Sequence, residues 1–378
     1  FTYTAKDPSN NTSNSATLTI SITDSTAPTV QSVSSTAADG IYTAGDTIPI
    51  NVVFSEAITV NTSGGNPSLT LETGSTDQVI NYASGSGTNT LAFSYTVQDG
   101  DTTSDLNYNA TSSLALNGAT IQDSSGNNAT LTLPVLDSSN ALAGNNDLVI
   151  NTTAPTISVA INDGGDGFLN AAEDDSVTIS GSTSDVQDGQ TVSINISSDA
   201  GGTPVNSTAT TTSNSYSVTD LDLSSLNDGT LSITADVSDV AGNPATQASD
   251  TSNKDTSAPS ISLSSDATSL KAGEIATLSF TLSESSTNFT ESDIFFSGGT
   301  LSNFSGNDTS YSAQFTPLED SISNGVISVA SSRFSDLAGN INADGFDANN
   351  SLTISIDTLP PTISVAINDG GDGFLNAA

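Results

Sequence analysis

The chain contains no cysteine, histidine, methionine or tryptophan. Without thiols there can be neither disulfides nor thiolate metal sites. Without imidazole there can be no Ser-His-Asp or Cys-His relay and no imidazole-bound zinc or haem. Basic residues are nearly absent too: Lys6, Lys254, Lys271 and Arg333 stand against 42 Asp and Glu, for a formal charge of −38. Nucleic-acid backbones and anionic membrane surfaces need a basic footprint, so neither is expected as a partner. No apolar run reaches the length of a membrane-spanning helix. Phe1 opens within a strand pattern and not in a charged leader, so a span or signal peptide would lie outside this window.

So one-sided a charge opposes compaction by self-repulsion. Salt screens exposed charges only beyond about 10 Å at 0.1 M. Clustered carboxylates therefore call for a divalent cation, and Ca²⁺ outside cells is the expected one.

Residues 155–172 and 361–378 both read PTISVAINDGGDGFLNAA, an offset of 361 − 155 = 206. Identity over 18 residues is the signature of a tandem-repeat protein, and the window ends partway into a repeat. Alternation of apolar residues with Ser, Thr or Asn pervades the chain: 15–23, 47–55, 90–97, 176–182, 191–197, 229–239, 276–283, 325–330 and 351–357. This is the half-buried strand pattern, bounded by Gly, Asn and Asp turns, and no segment keeps a helical period. The expected fold is all-β, in sandwiches of about seven strands.

The phrases DSTAP (24–28), NTTAP (151–155), DTSAP (255–259) and DTLPP (357–361) mark short, stiff connectors, because Pro fixes φ and extends its predecessor. They divide the chain into a partial module (1–24), a module with longer loops (25–151), two further modules (152–255, 256–357) and a second partial one (358–378). QDSSGNN (122–128), SDVAGNP (238–244) and SDLAGN (335–340) are Asp-containing turns before the last strands, with a looser copy at 6–12.

NDGGDGFLNAAE (162–173) has the spacing of an EF-type calcium loop. Asn162 falls at position one, Asp166 at five, Gly167 at six, Leu169 at eight, Asn170 at nine and Glu173 at twelve. Gly164 sits at position three, where a side-chain ligand belongs, and no helix precedes. In an antiparallel sandwich the loops 162–175 and 220–228 share the C-terminal pole. Asp163, Asp166, Asp222 and Asp228 are therefore expected to face Asp255 of the connector and Asp336 of the next module. At the preceding connector Asn151 is expected to meet Asp239, with Asp185 and Asp188 nearby. The same positions elsewhere add Asp24, Asp123 and Asp357, and the second repeat copy adds Asp369 and Asp372. The bland alternative for each is a solvated turn. Asp174–Asp175 is one pair among 42 acids and carries no glycosidase signal. Catalysis is not expected, and the strand aromatics Tyr82, Phe93, Tyr95 and Phe280 are expected in cores.

The T-A-P connectors, the D-x-A-G-N turns and the GDGFLNAAE loop resemble the bacterial immunoglobulin-like domains strung through giant secreted adhesins. Residues 1–22 resemble the end of the cadherin-like modules of the same proteins. The resemblance implies immunoglobulin-like sandwiches set end to end as an extended rod, often with Ca²⁺ at the joints. It further implies a secreted, surface-displayed extender that presents a binding module, outside this window, to a host or biofilm surface. Its immediate partners would be neighbouring modules of the same chain. Two other readings stay open: a sugar- or protein-binding module in 25–151, which exposed aromatics would favour, and a filament or sheath subunit assembling head to tail.

Overall fold

The computed structural model describes residues 1–344, 348–367, Gly371 and Gly373; Asp369 and Asp372 lie outside the described residues. The chain divides into two compact units. One comprises Phe1–Thr156, Ser184–Gln190 and Val237–Thr246; the other comprises Ile157–Thr183, Thr191–Asp236 and Gln247–Ala378.

The first unit is organised by the strand Thr47–Asn61. Its alternating sequence drives Ile48, Ile50, Val52 and Phe54 inward, each at most 1% exposed. Burial of such side chains contributes about 1.5–3 kcal/mol apiece. Val30–Ser35 and Thr88–Thr96 pair with it on either side, antiparallel, and Gln78–Ser84 and Ser68–Glu72 continue the sheet. A second sheet joins Gly40–Tyr42, Leu148–Asn151 and Thr102–Thr103. Leu148 and Ile150 from that sheet share one core with Phe54, Leu91, Phe93 and Tyr95 from the other, which defines a sandwich. Near the N-terminus, Thr2–Tyr3 pairs with Ala16–Thr17, and the expected strand continues no further than that pairing.

The second unit holds two pairs of sheets. In one pair, Ala160–Asn162 and Ser215–Leu221 flank Val177–Ser184. Its partner sheet runs Phe168–Leu169, Ala248–Lys254, Gly229–Asp236, Thr191–Ser198, Val205–Thr210. Alternation again selects the inner faces, with Val192, Ile194 and Ile196 inward on one strand and Leu231, Ile233 and Ala235 on its neighbour. In the other pair, Ala276–Ser286 lies between Ile261–Ser265 and Gly299–Pro317. The facing sheet runs Ser269–Lys271, Ser351–Asp357, Gly325–Val329, Ile294–Ser297. Phe280 and Phe315 from one sheet and Ile327 and Ile356 from the other close a common core, with Phe289 edge-on to Tyr311 and Phe334.

All three sandwiches share one device: an early short strand pairs parallel with the last strand. Gly40–Tyr42 does so with Leu148–Asn151, Phe168–Leu169 with Ala248–Lys254, and Ser269–Lys271 with Ser351–Asp357. The chain is all-β. The single turn of helix at Leu142–Asn145 and the 3-10 turns at Glu291–Asp293 and Ala348–Asn350 are too short to leave a helical period in the sequence. Residues 184–190 and 237–246, expected in the module 152–255, group with the first unit. In the second of these stretches Asp239 and Asn243 hydrogen-bond to Asn151.

Candidate metal centre

The Asp-x-x-x-Asn turn builds itself from local bonds. Asn127 donates its N–H to Asp123 Oδ1 (2.8 Å) and its Nδ2 to Asp123 Oδ2 (2.7 Å). Asn243 clasps Asp239 in the same way (2.8 and 2.9 Å), as do Asn340 with Asp336 (2.9 and 3.0 Å) and Asn11 with Asp7 (2.9 and 3.0 Å). In three turns the Asn Nδ2 has a second acceptor, the carbonyl of the connector's first residue. These contacts are Asp24 O at 3.1 Å, Asn151 O at 3.0 Å and Asp255 O at 2.8 Å. The turn asparagine thus holds the connector against the turn aspartate.

A third side chain arrives through strand register. Ser55 donates to Thr29 O (2.8 Å) and its Oγ accepts the Thr29 N–H (3.0 Å). Ser283 and Ser260 repeat both bonds at 2.9 and 2.8 Å. In each case the next residue, Glu56 or Glu284, reaches the connector acid. Carboxylate oxygens of Asp24, Glu56 and Asp123 lie within 4.8 Å of one another, and so do those of Asp255, Glu284 and Asp336.

The electrostatics are unfavourable for three bare carboxylates. Loss of hydration, then the charges of Asp255 and Asp336, push Glu284 above its ordinary value. Burial likewise raises Asp255 despite the Ser257 N–H on its carboxylate, and the charges of Asp336 and Asp228 act in the same direction. Glu56 is raised by lost hydration and by Asp24 and Asp123. Asp123 differs. Lost hydration raises it, but the bonds from Asn127, Ser125 and Gly126 together hold it below the usual range. Glu284 Oε2 is shut off from solvent with no hydrogen-bond partner. Such donor sets, all oxygen, fit a hard cation and not one that seeks nitrogen or sulfur. The second cluster opens into a cleft of about 340 Å³ also lined by Phe168, Asp228 and Ser257.

The residues 255–356, which carry this second cluster, match a family of known domains. They match the bacterial Ig-like domain. No curated protein is matched by the chain. Among solved structures, a tetra-tandem repeat from the extending region of a large adhesion protein is 22% identical. It is matched over 88% of this chain and 74% of its own, with a TM-score of 0.29. A 1.5-MDa bacterial ice-binding adhesin, studied for retention at the host cell surface, is 16% identical over 89% of this chain and 100% of its own, TM-score 0.36. Titin domains I67–I69 are 12% identical over 88% and 99%, TM-score 0.34.

Within residues 255–356, Asp255 and Asp336 were legible from sequence, whereas Glu284 was not; in the first module the same holds for Asp24 and Asp123 against Glu56. The available signal was a Ser-Glu pair ending an alternating strand, 56 − 24 = 32 and 284 − 255 = 29 residues beyond the connector acid. The equivalent place in 152–255 holds Asp185, whose carboxylate accepts from Ser184 Oγ (2.9 Å). There Asn151 meets Asp239 directly, Nδ2 to Oδ2 at 3.0 Å.

The EF-spaced loop uses its oxygens locally. Asn162 accepts from Gly164 N–H (3.4 Å), Asp163 from Gly165 N–H and Ser252 Oγ (both 3.1 Å), Asp166 from Phe168 N–H (3.0 Å), and Glu173 from Asn170 N–H (3.1 Å). The acid groups that converge among the described residues are the two above, and Asp163, Asp166 and Glu173 do not form a third. Instead, the loop docks on the 335–340 turn: Asn170 Nδ2 donates to Ala338 O (3.0 Å) and Ala171 N–H to Asn340 Oδ1 (3.0 Å). Asp228 receives Thr256 through N–H and Oγ1, both at 3.0 Å, and reaches the cleft. Asp222 is exposed and stays in its own turn, its carboxyl held below the usual range by the Ser224 hydrogen bonds. Asp357 is exposed at the end of the last strand, in register with Lys271. The neighbouring Asp174 is paired with buried Lys254, Nζ to Oδ2 at 2.9 Å, and that Nζ also donates to Leu223 O (2.9 Å) and Leu226 O (2.8 Å). No aromatic residue of 25–151 is among the exposed large side chains, and Phe54, Phe93, Tyr95 and Tyr108 are core.

Proposed function

We propose that the chain is an extender segment of a secreted bacterial surface adhesin, a stalk whose connectors are stiffened by Ca²⁺. One observation carries this reading. The same trio of connector acid, strand acid and turn acid is assembled twice, in a chain that repeats 18 residues without change. Asp24, Glu56 and Asp123 would hold one ion, and Asp255, Glu284 and Asp336 another, with Asp228 at the cleft edge. When bound, Ca²⁺ supplies positive charge to carboxylates that otherwise repel. Each trio joins three separate segments of chain, so an ion there fixes the connector to the module that follows. The modules themselves, with their own cores, would keep their strands in either condition. In this reading the chain performs no catalysis, and any adhesive contact is made by parts beyond it.

Calcium titration of the whole chain tests the reading. An ion that binds the folded form alone adds RT ln(1 + [L]/Kd), about 2.7 kcal/mol per site at 100 times Kd. Calcium is expected to raise the melting temperature and lengthen the scattering profile, and chelator to reverse both while far-UV circular dichroism is unchanged. A melting temperature and scattering profile indifferent to both reagents would refute it.

A further inference from the structure

Three of the four connectors, at 24–28, 151–155 and 255–259, present one geometry with two chemistries. Asp24, Asn151 and Asp255 each accept the N–H two residues on, from Thr26 (2.9 Å), Thr153 (3.0 Å) and Ser257 (3.1 Å), through Oδ1. Each also has its carbonyl held by the turn asparagine. At 24 and 255 the side chain is a carboxylate with an oxygen within 4.8 Å of those of two more acids. At 151 it is an amide whose nitrogen reaches the turn aspartate. Because Asn151 Oδ1 must accept from Thr153, the amide orientation is set and Nδ2 is the group that reaches Asp239.

Asp239 consequently accepts from three protein donors: Asn243 N–H at 2.8 Å, Asn243 Nδ2 at 2.9 Å and Asn151 Nδ2 at 3.0 Å. The same site at 255 lacks the third donor and leaves Glu284 Oε2 enclosed and unpartnered. Strand register extends the equivalence. Ile161 pairs with Ile179 and Ser158 N–H with Ser182 O, so the same register carries Thr156 to Ser184 and gives Asp185 the chain position of Glu56 and Glu284. There Asp185 is exposed, its backbone left-handed at φ 61° and its carboxylate on Ser184 Oγ, so an acid is kept at that position while the connector residue changes from aspartate to asparagine.

We propose that the connector residue selects, module by module, whether the site takes a divalent cation. Aspartate at 24 and 255 makes the site depend on the ion, and asparagine at 151 replaces the ion with its own amide. This rests on the calcium reading above and adds that one connector of this chain is closed by protein alone. A stalk with both kinds would loosen at 24–28 and 255–259 when calcium falls, yet hold at 151–155.

Two experiments on the full chain decide it. In wild type, hydrogen exchange read by mass spectrometry is compared in calcium and in chelator. Exchange is expected to quicken in chelator around 24–28, 123–127, 255–259 and 336–340, and to stay constant at 151–156 and 237–246. Calcium calorimetry then compares wild type with Asp255→Asn, expected to bind one ion fewer, and Asn151→Asp, expected to bind one ion more. Equal chelator sensitivity at all three connectors, or an unchanged stoichiometry in Asn151→Asp while Asp255→Asn loses an ion, overturns the selection and leaves the calcium reading standing. No calcium uptake by wild type, with exchange constant everywhere, removes both.

Discussion

Replacing Lys254 by Met gives the sharpest test of how 152–255 is held together. Lys254 is one of four basic residues, and its side chain is only 2% exposed. All three of its N–H donors are used: Asp174 Oδ2 at 2.9 Å, Leu223 O at 2.9 Å and Leu226 O at 2.8 Å. The ammonium ties the end of the last strand to the loop after Leu169 and to the loop before Gly229. Met keeps most of the volume and the apolar stem, so the loss is the charge and its bonds. It strands the Asp174 carboxylate, whose side chain is 11% exposed, without its counter-ion. Removing one partner of a buried pair costs about 3–5 kcal/mol. At about 1.36 kcal/mol per factor of ten, that corresponds to exchange roughly two to four powers of ten faster. The assay is native-state hydrogen exchange read on peptides from Gly229–Asp236 and Ala248–Lys254, which reports this module separately from the others. Adding Asp174→Asn to Lys254→Met removes the stranded charge and is expected to recover much of the loss. The effect should be equal in calcium and in chelator, since Lys254 belongs to no acid trio. An acceleration below ten-fold in Lys254→Met, or no recovery in the double variant, would refute the reasoning.

The acid trio makes a pH prediction with a definite sign. Glu284 is raised from 4.5 in the folded chain, so between 4.5 and its native value the folded state holds more protons than the unfolded one. Stability is therefore lost as pH rises through that window. In chelator Glu284→Gln should melt above wild type at neutral pH, the gap closing as pH falls below 4.5, and in calcium the order should invert; parallel melting curves would count against this. Asn340→Ala removes bonds to Asp255 O, Asp336 Oδ2 and Ala171 N–H at once. A cost of about 1–3 kcal/mol is expected, with faster exchange at 336–342 and weaker calcium uptake at that module alone.

Strand existence and the Asp-x-x-x-Asn turns were readable from sequence because both are local. Alternation at 47–55 or 276–283 has an inner face wherever the strand pairs, and Asn340 can close on Asp336 within one turn. The connector aspartates were readable as well, since Pro marks their place. Glu56 and Glu284 were not, because only antiparallel register sets a residue within the strand beside a connector about thirty residues earlier. The EF-like loop shows the opposite limit. Its spacing is real, yet spacing does not say where an oxygen points, and Asp163, Asp166 and Glu173 accept from neighbouring N–H groups. The pairing of Lys254 with Asp174 was equally invisible, being eighty residues apart in the chain (254 − 174) and joined only where the last strand ends against that loop. Composition and periodicity thus determined an acidic, all-β, repeated chain. Which few of its 42 acids face one another was decided by the sandwich, because only folding brings a connector, a strand residue and a turn to one point.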